Sequence, residues 1–261
     1  AAVGDVFQSP SAEQMYQVTK RIDQGAGVLY VYGNYSGDII NFDMAAELAG
    51  LDGITVKQVV GNDDLASSVV GEEHKRRGVA GIFFIYKAAG AAAREGRPLE
   101  EVVRVANKVR QRTRTIGVAL SSCVVPEIGH ATFSIGEDEM EIGMGIHGEP
   151  GIIRKKLAAA DIIVDEMMER IFEETDYKCG DRVAVLINGL GGTPLEELYI
   201  LFRRVSQLLE GREVSVAHVW VGEFATSMEM AGASISILHL DAELDTLMAA
   251  PANTPFFKNV G

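Results

Sequence analysis

The run Gly27-Val28-Leu29-Tyr30-Val31-Tyr32 is glycine followed by unbroken apolar and aromatic residues, and no other segment constrains the fold as much. A strand that is apolar on both faces needs cover on both, which is the situation of a parallel sheet sandwiched by helices. A polar turn, Gly33-Asn34-Tyr35-Ser36-Gly37-Asp38, follows it. Ile39, Ile40, Phe42, Met44, Ala45, Leu48 and Ala49 then recur at helical spacing until Gly50 offers a stop. Ile54-Thr55-Val56-Lys57-Gln58-Val59-Val60 is strand-like again, so residues 27–60 read as one βαβ unit. The loop after its first strand lies at that strand's carboxyl end, where open α/β sheets place their ligands.

The remainder predicts more of the same class. Lys87-Ala88-Ala89-Gly90-Ala91-Ala92-Ala93 reads as a closely packed helix, and Pro98 opens another that runs to about Arg112. Ile116 to Val125, the alternating Ala131-Thr132-Phe133-Ser134-Ile135, and Glu139 to Ile146 read as neighbouring strands. Leu157 to Glu174 carries a wide apolar stripe of helical period, its methionines being core fillers. Arg182 to Ile187 is a buried strand, and Thr193-Pro194-Leu195-Glu196 reads as a helix start with Thr193 as N-cap and Pro194 as first helical residue, the helix reaching about Leu209. Val214 to Val221 and Ala233 to Leu240 are strands, and Asp241 begins a short last helix. The expectation is an α/β protein of two lobes, each a mixed or parallel β-sheet flanked by helices. Residues 1–113, completed by 248–261, would form the first lobe and 114–247 the second.

Charge and cysteine usage narrow the partners. With 24 Lys and Arg against 37 Asp and Glu the net charge is −13, which argues against nucleic acid and anionic membrane surfaces. The basic clusters His74-Lys75-Arg76-Arg77, Lys108 to Arg114 and Arg154-Lys155-Lys156 read as solvated helix faces. Cys123 and Cys179 stand far apart with no metal-ligand spacing, and no apolar run is long enough to span a bilayer, so the expected compartment is the cytoplasm. The start, Ala1-Ala2-Val3-Gly4-Asp5, reads like the middle of a domain.

Three segments could carry chemistry. Gly189-Leu190-Gly191-Gly192 ahead of a helix resembles a phosphate-cradling turn but lacks both the P-loop Lys and a third spaced glycine, so a tight strand-to-helix turn reads better. Gly143-Met144-Gly145-Ile146-His147-Gly148-Glu149-Pro150-Gly151 surrounds one histidine with small residues at a strand end. It is either a ligand site, where an imidazole nitrogen can take a proton or attack a carbonyl, or a glycine-rich hairpin with an incidental histidine. Asp38 either accepts a proton from a bound hydroxyl or caps its helix. His74, His130, His218 and His239 lie in charged or strand contexts without ligand spacing.

Taken together, Gly4-Asp5-Val6-Phe7-Gln8-Ser9-Pro10, Asn34-Tyr35-Ser36-Gly37-Asp38, Arg76-Arg77-Gly78-Val79-Ala80-Gly81, Gly90-Ala91-Ala92-Ala93, Gly117-Val118-Ala119-Leu120, Gly145-Ile146-His147-Gly148-Glu149-Pro150-Gly151 and Thr226-Ser227-Met228-Glu229-Met230-Ala231-Gly232 resemble, in that order, the substrate-binding subunit of dihydroxyacetone kinases. The resemblance implies that His147 bonds covalently to the carbonyl of a short-chain ketose as a hemiaminal. It implies that Asp38 helps to deprotonate the terminal hydroxyl, and that Ser9 and Gly33 adjoin the substrate. This chain would bind no cofactor itself: ATP or ADP with Mg would sit on an all-helical partner subunit, and the chain would form a homodimer. Two departures stand out. The family's Gly-Gly-Ser-Gly-His-Glu-Pro loop has no match, so an N-terminal segment carrying it is expected in the gene. Many members also have Lys where this chain has Gly33, and tetrulose kinases acting on erythrulose resemble it at Tyr32-Gly33-Asn34-Tyr35. An erythrulose kinase subunit and a non-catalytic ketose-binding co-regulator therefore stand as alternatives to a dihydroxyacetone kinase subunit.

Overall fold

The computed structural model describes residues 2–127, 129–131 and 133–260. Helix α1 (Ala12–Ile22) starts on a reciprocal cap in which the Ser11 hydroxyl accepts from the Gln14 N–H and the Gln14 side chain accepts from the Ser11 N–H. Strand β1 (Val28–Gly33), helix α2 (Ser36–Leu51) and strand β2 (Val56–Gly61) form the expected unit, with the two strands parallel and Val28 opposite Val56. Val28, Tyr30 and Tyr32 pack with Ala12, Met15 and Ala45 on the side of α1 and α2. The opposite face, Leu29 and Val31, meets helices α3 (Ile82–Arg94) and α4 (Leu99–Arg112).

A second, mixed sheet of six strands holds the larger core. In chain order its members are β3 (Thr113–Ala119), β4 (Glu139–Ile142), β5 (Ile153–Lys156), β6 (Arg182–Gly189), β7 (Ser215–Gly222) and β8 (Gly232–Leu240). Their spatial order is β5-β4-β3-β8-β6-β7, with only β6 and β7 parallel. Helices α5 (Ala160–Glu173) and α6 (Leu195–Glu210) cover one face, against Val183, Val185 and Ile187. Helices α3, α4 and α7 (Ala242–Ala249) cover the other, against Ala184 and Leu186. Alternate residues of β6 thus face two different helical layers, which is why the strand reads as continuously apolar. The chain leaving β2 runs beside β3, where the Thr115 N–H donates to the Asp63 carbonyl at 2.8 Å, and this links the two sheets. Among the described residues no helix is long and apolar enough to cross a membrane.

Several expectations need correction. Thr193 does not cap α6. Its hydroxyl is buried and exchanges two hydrogen bonds of 2.8 Å with the Gly232 backbone, leaving Pro194 as the capping residue. The run from Ile116 to Val125 forms a strand only as far as Ala119. The described part of 131–135 is no strand beyond a single bridge from Val124 to Ala131, and Thr132 lies outside the described residues. Residues 74–77 are not a solvated helix face: Arg76 is 1% exposed and forms a bidentate pair with Glu174 at 2.6 and 2.7 Å. A buried guanidinium needs such a fork of acceptors to offset its desolvation.

Candidate active site

At the carboxyl end of β1 the chain is tightly tied. The Asn34 amide donates to the carbonyls of His74 and Arg76 at 2.9 and 2.7 Å, so the turn 33–38 is anchored to the segment following β2. Gly33 sits in a crowded place, since a Cβ there would stand 2.9 Å from the Tyr35 ring and 3.1 Å from the Gly78 carbonyl oxygen. Asp38 occupies the first turn of α2, which starts without a side-chain cap, and its carboxylate makes no hydrogen bond or ion pair among the described residues. It is therefore not spent on capping.

These residues border a cleft of about 410 Å³ whose other walls come from remote parts of the chain. Tyr35, Phe83, Tyr86, His147 and Phe224 are among the bulky groups around it, with Tyr32 and Phe42. His147 and Asp38 line the same cleft, although 109 positions separate them in sequence. Gly33 lines it too. Ser9 does not: its hydroxyl turns to the adjacent Pro10 carbonyl at 3.2 Å, while its neighbours Phe7 and Pro10 reach the site.

The His147 imidazole is held on three sides and remains 28% exposed. Phe7 and Tyr35 present edge-on contacts, with ring centroids 4.8 and 4.6 Å away. Nδ1 lies 3.1 Å from Glu149 Oε1, and the His147 backbone N–H donates to Glu149 Oε2 at 3.0 Å. Burial pushes the Glu149 carboxyl up, but the hydrogen bonds from His147 and the Arg77 charge outweigh it and hold the group below its ordinary range. Arg77 in turn donates to Asp64 at 2.8 Å and to the Gly143 carbonyl at 2.9 Å. Burial raises Asp64 to about 6, with Arg77 opposing. Burial also drives the Tyr35 phenol well up, and Glu149 adds to the effect. With Nδ1 engaged, Nε2 is the ring nitrogen left for chemistry, and an imidazole nitrogen with a free lone pair beside a proton-accepting carboxylate is suited to covalent capture of a carbonyl.

Reading the sequence missed Glu149, Arg77 and Tyr35 as working parts. Glu149 lies two residues from His147 and its contacts there are local, whereas Arg77 and Tyr35 reach the histidine loop only through the fold. The glycines after β6 are not an anion cradle. A Cβ on Gly191 would fall 1.7 Å from the Met228 carbonyl oxygen, so the backbone of 228–230 occupies that space. Asn188, buried at the end of β6, instead braces the cleft wall, accepting from the N–H groups of Phe224 and Ala225 at 2.8 Å each. Among the described residues no group of three His, Cys, Asp or Glu side chains is placed to hold a metal ion.

Known proteins are similar to this chain in sequence and in fold. The Dak1 domain family model matches residues 1–256. A Listeria innocua protein named PTS-dependent dihydroxyacetone kinase 2, dihydroxyacetone-binding subunit DhaK, is 48% identical over 99% of this chain and 77% of its own length. A D-erythrulose kinase of Mycolicibacterium smegmatis is 42% identical over 99% of this chain and 44% of its own length. Among solved structures, a dihydroxyacetone kinase operon co-activator, Dha-DhaQ, superimposes with a TM-score of 0.87 at 31% identity, covering 94% of this chain and 76% of the other. In sequence and in fold, the chain belongs to the Dak1-domain family of dihydroxyacetone kinases.

Proposed function

We propose that this chain is the ketose-binding subunit of a dihydroxyacetone kinase, capturing its substrate through His147 and presenting a terminal hydroxyl beside Asp38. The observation that carries the reading is the meeting of one uncapped carboxylate and one partly exposed imidazole on a single cleft. The Nε2 lone pair forms a C–N bond to the ketose carbonyl carbon, and the π pair moves to oxygen. The proton leaving Nδ1 ends on that oxygen by way of Glu149 and solvent, giving a neutral hemiaminal. Polyols such as glycerol lack the carbonyl and are refused. Asp38 would then take the proton of the terminal hydroxyl as its oxygen attacks the γ-phosphorus of ATP; the bond from that phosphorus to the β-phosphate oxygen breaks and ADP leaves, either released or kept with Mg on the partner subunit as a phosphate carrier. The partner reading is supported by the word subunit in the name of the Listeria relative.

The test uses dihydroxyacetone labelled with 13C at its carbonyl. Bound to the protein, its resonance should move from the ketone to the tetrahedral region, and His147→Ala should abolish the change. A ligand that binds and keeps its ketone resonance would sink the covalent step.

A second reading, a tetrulose kinase subunit, is favoured by Gly33 and by the erythrulose kinase among the relatives. Comparing kcat/KM for erythrulose and dihydroxyacetone with the partner subunit separates the two. Binding of either ketose without turnover would instead support the co-regulator alternative, consistent with the co-activator's similar fold. The two-lobe reading, residues 1–113 with 248–261 and residues 114–247, is supported at the C-terminal end by Lys87, which donates to the Ala250 carbonyl at 2.5 Å.

A further inference from the structure

We infer that Glu149 is a positioning residue that selects the reactive tautomer of His147, and that Gly145 and Arg77 exist to hold its carboxylate there. The inference rests on the reading of His147 as the covalent nucleophile. The Glu149 oxygens are not interchangeable: Oε1 faces the His147 ring Nδ1 at 3.1 Å and Oε2 accepts the His147 backbone N–H at 3.0 Å. Two donors on one residue thus meet two acceptors on one carboxylate, and this pins the imidazole plane to its own backbone. A carboxylate without a proton can only accept, so the ring proton resides on Nδ1 and the lone pair on Nε2.

The space for this clamp is built in from neighbouring residues. A Cβ on Gly145 would stand 2.1 Å from Glu149 Oε2 and 2.5 Å from Arg77 Nη1, so any larger residue would evict the carboxylate. Arg77 places its guanidinium 3.9 Å from Glu149 Oε2 while anchored to Asp64 and to the Gly143 carbonyl. It therefore fixes the far side of the carboxylate relative to the histidine loop. Oriented carboxylates behind a catalytic histidine act in this way elsewhere, holding the ring in one tautomer and direction without touching the substrate.

The experiment begins with ketose-free protein labelled with 15N in histidine, whose long-range 15N–1H correlations distinguish the two ring tautomers. Wild type should show His147 with its proton on Nδ1. Glu149→Gln offers one acceptor where two are needed, so it should lose that tautomer as the dominant form. It should also lower the equilibrium constant for the hemiaminal with 13C-labelled dihydroxyacetone by about tenfold, while leaving the thermal unfolding midpoint close to wild type. Gly145→Ala, which keeps the carboxylate but displaces it, should give the same pair of changes and serves if Glu149→Gln fails to fold. The inference is overturned if either folded variant retains the Nδ1–H form, or loses it with the hemiaminal equilibrium unchanged. A wild-type protein that holds the Nδ1–H form yet never bonds the ketose would overturn the covalent reading alone.

Discussion

Asp38 stands where a carboxylate commonly stabilises a helix start, yet it makes no hydrogen bond among the described residues and faces the cleft instead. Its replacement should therefore cost chemistry more than stability. Asp38→Asn should leave the hemiaminal resonance intact, slow phosphoryl transfer by roughly 100-fold or more, and change the unfolding free energy by no more than about 1 kcal/mol; steady-state kinetics with the partner subunit and urea titrations read both. Gly33 is the opposite case, a residue without a side chain whose space is taken by Tyr35. Gly33→Ala should push the Tyr35 ring against His147 and weaken ketose capture, measured as a reduced tetrahedral 13C signal at fixed ligand concentration. Of the site, His147 and Asp38 were legible because each lies within a continuous segment. Arg77 was not, because its role depends on a contact with Gly143 that joins positions 66 apart; Glu149 was within reach, its signal being a carboxylate two residues beyond the histidine.

Elements were legible where their pattern was long and periodic, as in α2, α5 and β6. At Thr193 a tertiary partner outweighed a local signal. Thr193-Pro194-Leu195-Glu196 carries every feature of a helix start, but the Gly232 backbone takes the threonine hydroxyl. Thr193→Val keeps the shape and removes both bonds from a buried group, so it should destabilise the protein by about 1–3 kcal/mol in denaturant unfolding, far more than loss of an exposed polar contact. α1 escaped notice although Ser11 and Gln14 form a reciprocal cap, because its buried face is reduced to Ala12, Met15 and Thr19. β5 was hidden by its basic composition: Arg154 is drawn into the strand by Glu141, which it meets at 2.7 Å across the pair.

For the whole molecule, an excess of acidic groups makes the placement of cations decisive. Arg97, just before α4, and Arg104 and Lys108 on it converge on Glu243 and join this part of the chain to α7. Hydrogen bonds from Arg104, then from Lys108, hold the Glu243 carboxyl well below the usual carboxylate range. A carboxyl lowered by folding stabilises the protein above its ordinary pKa, and that stability disappears as pH falls through the folded value. Urea unfolding should accordingly show stability declining below about pH 5, and Glu243→Gln should flatten this decline while costing about 1 kcal/mol at pH 7. The α/β class was legible from the βαβ unit, but the strand order was not, because nothing in a single strand's residues names its neighbours. That order puts β8 between β3 and β6. During synthesis the ribosome therefore releases β3 to β5 and β6 to β7 as two fragments, each with an open apolar edge. Neither edge can close until β8, which ends at Leu240, is available to pair with both, so unpaired strand edges persist until that late segment has been made.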